Sequence, residues 1–171
     1  ASIGRINAPA RQTIDAEGHV VSPGFVDGHT HMDAQVFWDP IGSCSCYHGV
    51  TSVVMVNCGF TLAPCKQEDA DLVFRNLERA EDLSREAMLA GIDWTWETFP
   101  QFLDSVDRLP KGINYAGYIG HSALRTYTMG ERAFTEQASE DDLKLMQALV
   151  KEAMQAGAIG FSTSRTFNHI T

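Results

Sequence analysis

The chain has 171 residues, of which 44% are hydrophobic, and this composition is typical of a globular protein rather than a disordered or fibrous one. Acidic residues outnumber basic ones by 22 to 13 and the basic residues do not cluster, so nucleic acid is excluded as a partner. No apolar run approaches the ~20 residues of a membrane span and no signal sequence is recognisable, so we expect a cytoplasmic location and no membrane partner.

The first part of the chain, residues 1–22, contains short apolar pairs broken by turn residues, a pattern that predicts small strands with turns. After Pro23 and Gly24 the pattern changes to four apolar β-type runs that are separated by longer segments. None of the four runs alternates cleanly with polar residues, so we expect each to be buried on both faces, as parallel strands are. The predicted strands cover residues 25–31, 51–57, 113–119 and 158–162.

Three helices are predicted between these strands, over residues 68–90, 98–109 and 139–157. The clearest begins at Ser139 as N-cap, with Asp142 as a capping-box partner, and stops at Gly157. Its apolar residues recur at helical spacing and are expected to lie on the sheet. These residues are Leu143, Met146, Leu149, Val150 and Ala153. In the loop before residue 98, Trp94 and Trp96 are interpreted as packing residues.

The alternation of strand and helix with buried strands predicts an α/β fold with a parallel sheet, either open or closed into a barrel. Four βα units are visible, whereas a complete (β/α)8 barrel needs at least about 200 residues. The chain is therefore too short to close such a barrel alone.

Chemically active side chains follow all four predicted strands at the carboxyl end, where parallel α/β folds collect their functional groups. These residues are His29, His31, Cys58, His121, Ser162, Thr163 and Arg165. In an extended segment, His29 and His31 would project to the same side and could bind one metal ion. We therefore predict a metal site at this rim.

Several other residues of the same types receive structural interpretations. Three histidines are read as hydrogen-bonded structural residues: His19, His48 and His169. Cys44 and Cys46 are expected to pack on a short helix and Cys65 to be a loop thiol. His121 is read equally as a structural histidine or as a group that contacts substrate or orients a ligand. Asp27 and Asp33 are expected either to orient the ligand imidazoles or to cap the loop.

Four motifs together resemble the N-acyl-D-amino-acid deacylases, or D-aminoacylases, of the amidohydrolase superfamily. The motifs are "SPGFVDGHTHMD", "GVTSVVMVNCGFTLAPC", "GHSALR" and "GAIGFSTS", and the resemblance spans nearly the whole chain. The His-x-His element is shared widely across the superfamily. The "NCGF" element is narrower, because a cysteine at that position is a metal ligand in the deacylases.

The resemblance implies that residues 1–22 are a fragment of a small β domain and that residues 23–171 are the first four βα units of a metal-dependent hydrolase (β/α)8 TIM barrel. It also implies one or two zinc ions, with His29, His31 and Cys58 as ligands. The general base and further ligand histidines are expected beyond Thr171. The segment alone is then expected to be inactive, with the remainder of its barrel, or another copy of the chain, as partner.

A bound zinc ion suits amide hydrolysis because it polarises the carbonyl group and lowers the pKa of bound water to about 7. Many superfamily members bridge two metals with a carboxylated lysine. Lys66 and Lys111 are poorly placed for that role, so Cys58 is the better candidate. Four residues are expected to contact substrate or to orient a ligand: His121, Asp33, Ser162 and Arg165.

The leading hypothesis is zinc-dependent hydrolysis of the amide bond of N-acyl-D-amino acids. One alternative is a cyclic amidase related to hydantoinase or dihydroorotase. The other is a non-catalytic half-barrel that binds a metal or a partner.

Overall fold

The structure, a computed structural model, describes residues 4–166. Its strands are β1 Phe25–Thr30, β2 Val50–Met55, β3 Asn114–Gly117, β4 Ile119–Gly120 and β5 Phe161–Ser162. Its α-helices are α1 Met32–Gln35, α2 Ser43–Cys46, α3 Ala70–Glu81, α4 Arg85–Gly91, α5 Phe99–Asp107, α6 His121–Met129 and α7 Glu140–Ala156. Two 3₁₀ segments cover Gln67–Asp69 and Gly130–Phe134.

All strand pairs are parallel, and the strands follow one another in chain order. β2 lies between β1 and β3, and β4 pairs with β5 in a second small sheet. Tyr118 divides the predicted strand 113–119 in two, because β3 pairs with β2 on one side whereas β4 pairs with β5 on the other. The predicted parallel arrangement is confirmed, and the carboxyl ends of the strands share one rim.

The burial of the strands differs from the prediction that each would be buried on both faces. Val53 and Met55 in β2 are buried, but Phe25 is 61% and Val26 is 67% exposed, and Phe161 in β5 is also exposed. β1 and β5 each have a strand neighbour on only one side among residues 4–166, and no other segment of the described chain covers these side chains. The prediction is therefore wrong for β1 and β5.

The first described segment, residues 4–24, contains a turn closed by the His19 N–H and the Ala16 carbonyl at 2.9 Å, but no strand. The small strands predicted for residues 1–22 are thus not found in its described part. A strand is stabilised by hydrogen bonds to a neighbouring strand. In the described structure β1 pairs only with β2, so residues 4–24 have no strand partner there. The assignment of this segment to a small β domain stays a prediction.

The predicted helix 68–90 is divided into α3 and α4. Asp82 takes a left-handed conformation with φ of 54°, which ends α3, and Ser84 caps α4 by accepting the Ala87 N–H at 3.3 Å. The prediction of one continuous helix is therefore wrong. The predicted helix 98–109 is found as α5, which begins after Thr98 in a capping box with Gln101.

Helix α7 matches its prediction at both ends. Ser139 accepts the Asp142 N–H at 3.2 Å and donates its own N–H to the Asp142 carboxylate at 2.9 Å, and Gly157 ends the helix with φ of 119°. Hydrogen bonds from Arg132, and then from Ser139, lower the pKa of Asp142 to about 2. The carboxylate thus supports the cap fully above its ordinary pKa of 3.8 and loses this role as the pH falls through about 2.

The predicted apolar face of α7 is only partly covered. Met146 and Ala153 are buried, and Leu149 and Val150 are half-buried against the core. Leu143 is 49% exposed, so its expected position on the sheet is wrong. Its side chain instead lines an open cleft of ≈ 450 Å³ between α6, α7 and β5.

The two tryptophans before α5 pack in the core, as expected. Their rings stack at 4.6 Å, and Trp96 also stacks on Phe37 at 4.8 Å. The Trp96 indole N–H donates to the Leu62 carbonyl at 2.8 Å, and that of Trp94 to the Trp96 carbonyl at 2.7 Å. Each polar atom of the pair thus has a partner, which is required for indole burial.

A helix that crosses a membrane must be both long and apolar, and the described part of the chain contains seven α-helices. None of them combines the length and the apolar character that a bilayer-crossing helix requires.

Replacing Ser139 by alanine removes the cap of α7 and is expected to lower the free energy of unfolding by about 1 kcal/mol. Ser139→Asn is the matched control, because its side chain can still accept the Asp142 N–H and should preserve most of the stability. Urea unfolding followed by circular dichroism measures both variants. Equal losses in the two would contradict a capping role for the hydroxyl.

Candidate metal centre

Three potential metal ligands meet at the carboxyl ends of β1 and β2. The His31 Nε2 atom lies 2.8 Å from the Cys58 Sγ atom and 3.2 Å from the Glu81 Oε1 atom. The Cys58 thiol lies 3.1 Å from the same glutamate oxygen. Imidazole nitrogen, thiolate sulfur and carboxylate oxygen are all ligands that zinc accepts, so this cluster could hold a divalent metal ion.

Asp33 lies behind His31, on the opposite side of the imidazole ring. One of its oxygens is 3.5 Å from His31 Nδ1, and the side chain is fully buried at the start of the chain's first helix, α1. Among residues 4–166, neither carboxylate oxygen of Asp33 has a hydrogen-bond partner. A carboxylate at this position orients a ligand imidazole and increases its basicity, which supports the orienting interpretation of Asp33.

The electrostatics of the cluster are dominated by negative groups around one imidazole. Burial of the His31 ring disfavours its charged form, but the contacts with Asp33 and Cys58 and their negative charges outweigh burial and raise the pKa of His31 to about 10. The cluster thus strongly favours a positive charge at the ring. A metal ion bound at Nε2 supplies that charge in place of the proton.

Glu81 is a potential ligand that the sequence analysis missed. It is the last residue of α3, directly before the left-handed Asp82, and its side chain is 21% exposed. A carboxylate on a helix is ordinarily read as part of the solvated face. One signal was present in the sequence, namely the two acidic residues Glu81 and Asp82 at the end of the helix. Negative charge is unfavourable at a helix C-terminus because of the helix dipole, so these residues indicate a role other than stabilising the helix.

The loop that carries Cys58 has an unusual backbone. Val56 has φ of 69°, a conformation that costs a β-branched residue about 1 to 3 kcal/mol, and Gly59 has φ of 98°. A Cβ atom on Gly120 would lie 2.3 Å from the Gly59 carbonyl oxygen, so the two backbones can approach only because residue 120 is a glycine. The loop is therefore closely fitted to the start of α6.

Ser162 and His29, two of the predicted site residues, occupy positions outside the cluster. Ser162 is buried on β5 and donates its hydroxyl to the Val56 carbonyl at 2.5 Å. His29 is exposed, and its N–H donates to Asp27 Oδ1 at 3.1 Å. Both residues lie on β1, so this contact of Asp27 is made within the strand, and a ligand role for His29 stays a prediction.

His29 lies in an irregular part of β1. The pairing of β1 with β2 shifts register between Asp27 and Thr30, and β1 ends at Thr30, directly before His31. The two histidines therefore do not belong to one regularly alternating segment. The structure brings His31, Cys58, Glu81 and Asp33 together and leaves His29 out of this group.

His121 and Arg165 lie near each other at the same rim. His121 begins α6, and its Nδ1 atom is 3.4 Å from the Thr163 hydroxyl. Burial and then the positive charges of Arg125 and Arg165 lower the pKa of His121, so its neutral form is favoured. Arg165 is exposed. Roles for both residues in contacting substrate stay predictions.

The remaining cysteines are not in the cluster. Cys44 is exposed on α2, and Cys46 is half-buried against the core. Cys65 is buried, and burial followed by the charges of Asp69 and Glu97 raises the pKa of its thiol to about 12. Cys65 is thus a loop thiol, as expected, and the loop places it in the core.

The histidines and lysines set aside in the sequence also lie elsewhere. His19 and His48 are exposed, and His169 is outside the described residues. The Lys111 ammonium donates to carbonyls of Val106 and Asp107 before β3, far from the rim. Cys58, unlike Lys111, lies in the cluster of potential ligands, and its ligand role stays a prediction.

Comparison with known proteins identifies relatives over most of the chain. The amidohydrolase family matches residues 12–171. A D-aminoacylase of Alcaligenes xylosoxydans xylosoxydans is 36% identical over 164 residues, which cover 95% of this chain and 31% of that protein. The resemblance to D-aminoacylases seen in the sequence motifs is thus confirmed.

Two solved structures superpose on the chain with a TM-score of 0.72. One is a D-aminoacylase studied for its binuclear metal centre, 34% identical, with 91% of this chain and 30% of that chain covered. The other is the N-acyl-D-glutamate deacylase of Bordetella bronchiseptica with zinc and a phosphonate inhibitor, 28% identical, with 92% and 30% covered. The predicted α/β fold, part of a TIM barrel, is confirmed, and the chain spans less than a third of these relatives.

Glu81→Gln tests whether the cluster binds metal through this carboxylate. We expect zinc affinity of the full-length protein to fall at least about 10-fold, the loss found even for residues that only orient a ligand. Glu78→Gln is the matched control one turn earlier on α3, where the carboxylate accepts the Arg85 N–H. Competition with a chromophoric chelator measures both affinities, and equal values for the two variants would rule out Glu81 as a ligand.

Proposed function

The chain belongs to the amidohydrolase family, and from this premise we propose that it is part of a zinc-dependent deacylase that hydrolyses the amide bond of N-acyl-D-amino acids. The single observation that carries the proposal is the meeting of His31, Cys58 and Glu81 at the carboxyl rim of the parallel strands. The substrate class comes from the relatives, which are named as D-aminoacylases and N-acyl-D-amino-acid deacylases.

The residues present fit a zinc ion. The cluster combines nitrogen, sulfur and oxygen donors within 4.8 Å of one another, and zinc binds this mixture well. The buried and otherwise unpartnered carboxylate of Asp33 behind His31 is a second feature of metal-bound imidazoles. A core histidine without a ligand role would not require an ionic partner that is costly to bury.

When bound, zinc polarises the substrate carbonyl and makes its water a nucleophile near neutral pH. The side chains of this chain prepare the site for that chemistry. His31 presents Nε2 to the cluster, and the Asp33 carboxylate, 3.5 Å from Nδ1, favours a proton on that nitrogen and thereby the tautomer that leaves Nε2 free for a metal. Cys58 acts as a thiolate and Glu81 as a carboxylate, so both provide negative charge in a largely buried site.

The rim residues outside the cluster receive proposed roles in binding either the metal or the substrate. His29 remains a proposed ligand, as the sequence resemblance implies, and His121 and Arg165 are proposed to face the substrate. The favoured neutral form of His121 can accept a hydrogen bond from an amide N–H. The proposal also includes the general base and a cytoplasmic location. It includes as partner either the rest of the barrel or a second copy of the chain.

The proposal predicts that the full-length protein with zinc hydrolyses N-acetyl-D-amino acids and not their L-enantiomers. Removal of the metal by a chelator should abolish turnover, and added zinc should restore it. Release of the free amino acid is measured with matched D and L substrates. Equal rates on both would contradict the deacylase proposal, hydrolysis of hydantoins or dihydroorotate would favour the cyclic amidase, and zinc binding without turnover would favour the non-catalytic half-barrel.

Cys58→Ala is expected to strip most of the zinc and activity from the full-length protein while the fold persists, because a thiolate ligand is lost. Cys58→Asp supplies an oxygen donor and should keep some metal with an altered preference among divalent ions. Cys65→Ala is the matched control, since it removes another buried thiol that is not in the cluster. Zinc content by atomic absorption decides the outcome, and a near-normal content in Cys58→Ala would exclude Cys58 as a ligand.

A further inference from the structure

The backbone of Val56 is held in a conformation that its own side chain disfavours. Its φ of 69° lies in the left-handed region, where β-branched residues are rare. The residue is buried and follows directly on the end of β2. Such a conformation persists only where the surrounding structure imposes it, so the contacts of Val56 should reveal the cause.

Two hydrogen bonds from neighbouring strands hold the Val56 peptide groups. Its N–H donates to the Thr30 carbonyl at the end of β1 at 3.0 Å. Its carbonyl accepts the hydroxyl of Ser162 on β5 at 2.5 Å, across 106 residues of sequence. The first bond is a backbone bond that any residue could make, whereas the second depends on the side chain at position 162.

The turn at Val56 determines where Cys58 lies. Two residues after the turn, the Cys58 thiol meets His31 Nε2 at 2.8 Å. The next residue, Gly59, accepts the Ser122 N–H through its carbonyl at 2.9 Å. The loop is thus fixed on both sides of Cys58, by Ser162 before it and by the start of α6 after it.

We propose that Ser162 is a positioning residue for the metal: its hydroxyl locks Val56 in the left-handed conformation and thereby sets the thiolate of Cys58 at the metal ion. This inference rests on the proposed function of the cluster and assigns to Ser162 a role through the backbone rather than a contact with substrate. If the hydroxyl only satisfied a buried carbonyl, its loss would lower stability without changing the metal site.

The test uses the full-length protein loaded with Co²⁺, whose thiolate charge-transfer absorption reports the Cys58 ligand. Ser162→Ala should weaken Co²⁺ binding about 10- to 100-fold, the range found for residues that orient metal ligands, and should shift or remove the thiolate band. Ser105→Ala is the matched control, because it deletes a buried hydroxyl on α5 that donates to the Gln101 carbonyl. That variant should leave both the band and the affinity unchanged.

A second substitution separates positioning from general damage. Glycine adopts positive φ without a steric penalty, so adding Val56→Gly to Ser162→Ala should restore the thiolate band and much of the Co²⁺ affinity. A folded double variant without recovery would overturn the proposal, as would a normal band in Ser162→Ala alone. If Ser162→Ala does not fold, the double variant decides by the same band.

Failure of this inference can be distinguished from failure of the proposed function. If the wild-type protein with Co²⁺ shows no thiolate band, Cys58 is not a ligand, and both proposals fall together. If the wild type shows the band and the Ser162 variants show it equally, the metal site stands and only the role of Ser162 is refuted.

Discussion

The short contact between the His31 imidazole and the Cys58 thiol is the interaction on which the described structure depends most. It joins the end of β1 to the loop after β2, across 27 residues, at a distance of 2.8 Å. Parallel pairing of the strands makes this possible, because it delivers both residues to the same rim. Glu81 then completes the group from the end of α3, so three separate elements converge on one point.

The same convergence creates an electrostatic problem within the fold. Asp33 is fully buried next to His31, and Cys58 and Glu81 add two more potential anions on the other side of the ring. Burying carboxylates is costly unless a positive charge compensates them. A positive charge at the cluster compensates these groups, and the raised pKa of His31, about 10, reflects the same electrostatic demand.

The sequence predicted those features that local chemistry decides. Ser139, Asp142 and Gly157 define α7 because caps are short-range interactions, and the strand-end positions of His31 and Cys58 follow from the parallel order. Features that depend on long-range packing were not predictable. The exposure of β1 follows from the absence of packing partners in the described structure, and the meeting of Glu81 with His31 and Cys58 joins segments that are distant in sequence. The alternation argument for His29 assumed a regular strand through residue 31, whereas a strand end cannot be placed to one residue from a pattern, and the ligand role of His29 stays a prediction.

The close approach of the Gly59 and Gly120 backbones limits which residues the chain can accept at position 120. Any side chain at position 120 would collide with the Gly59 carbonyl and push the loop away from the start of α6. A missense change there would thus displace Cys58 although neither glycine has a donor atom. The candidate metal centre therefore depends on more than its potential ligands, because the position of Cys58 also requires a residue without a side chain at position 120.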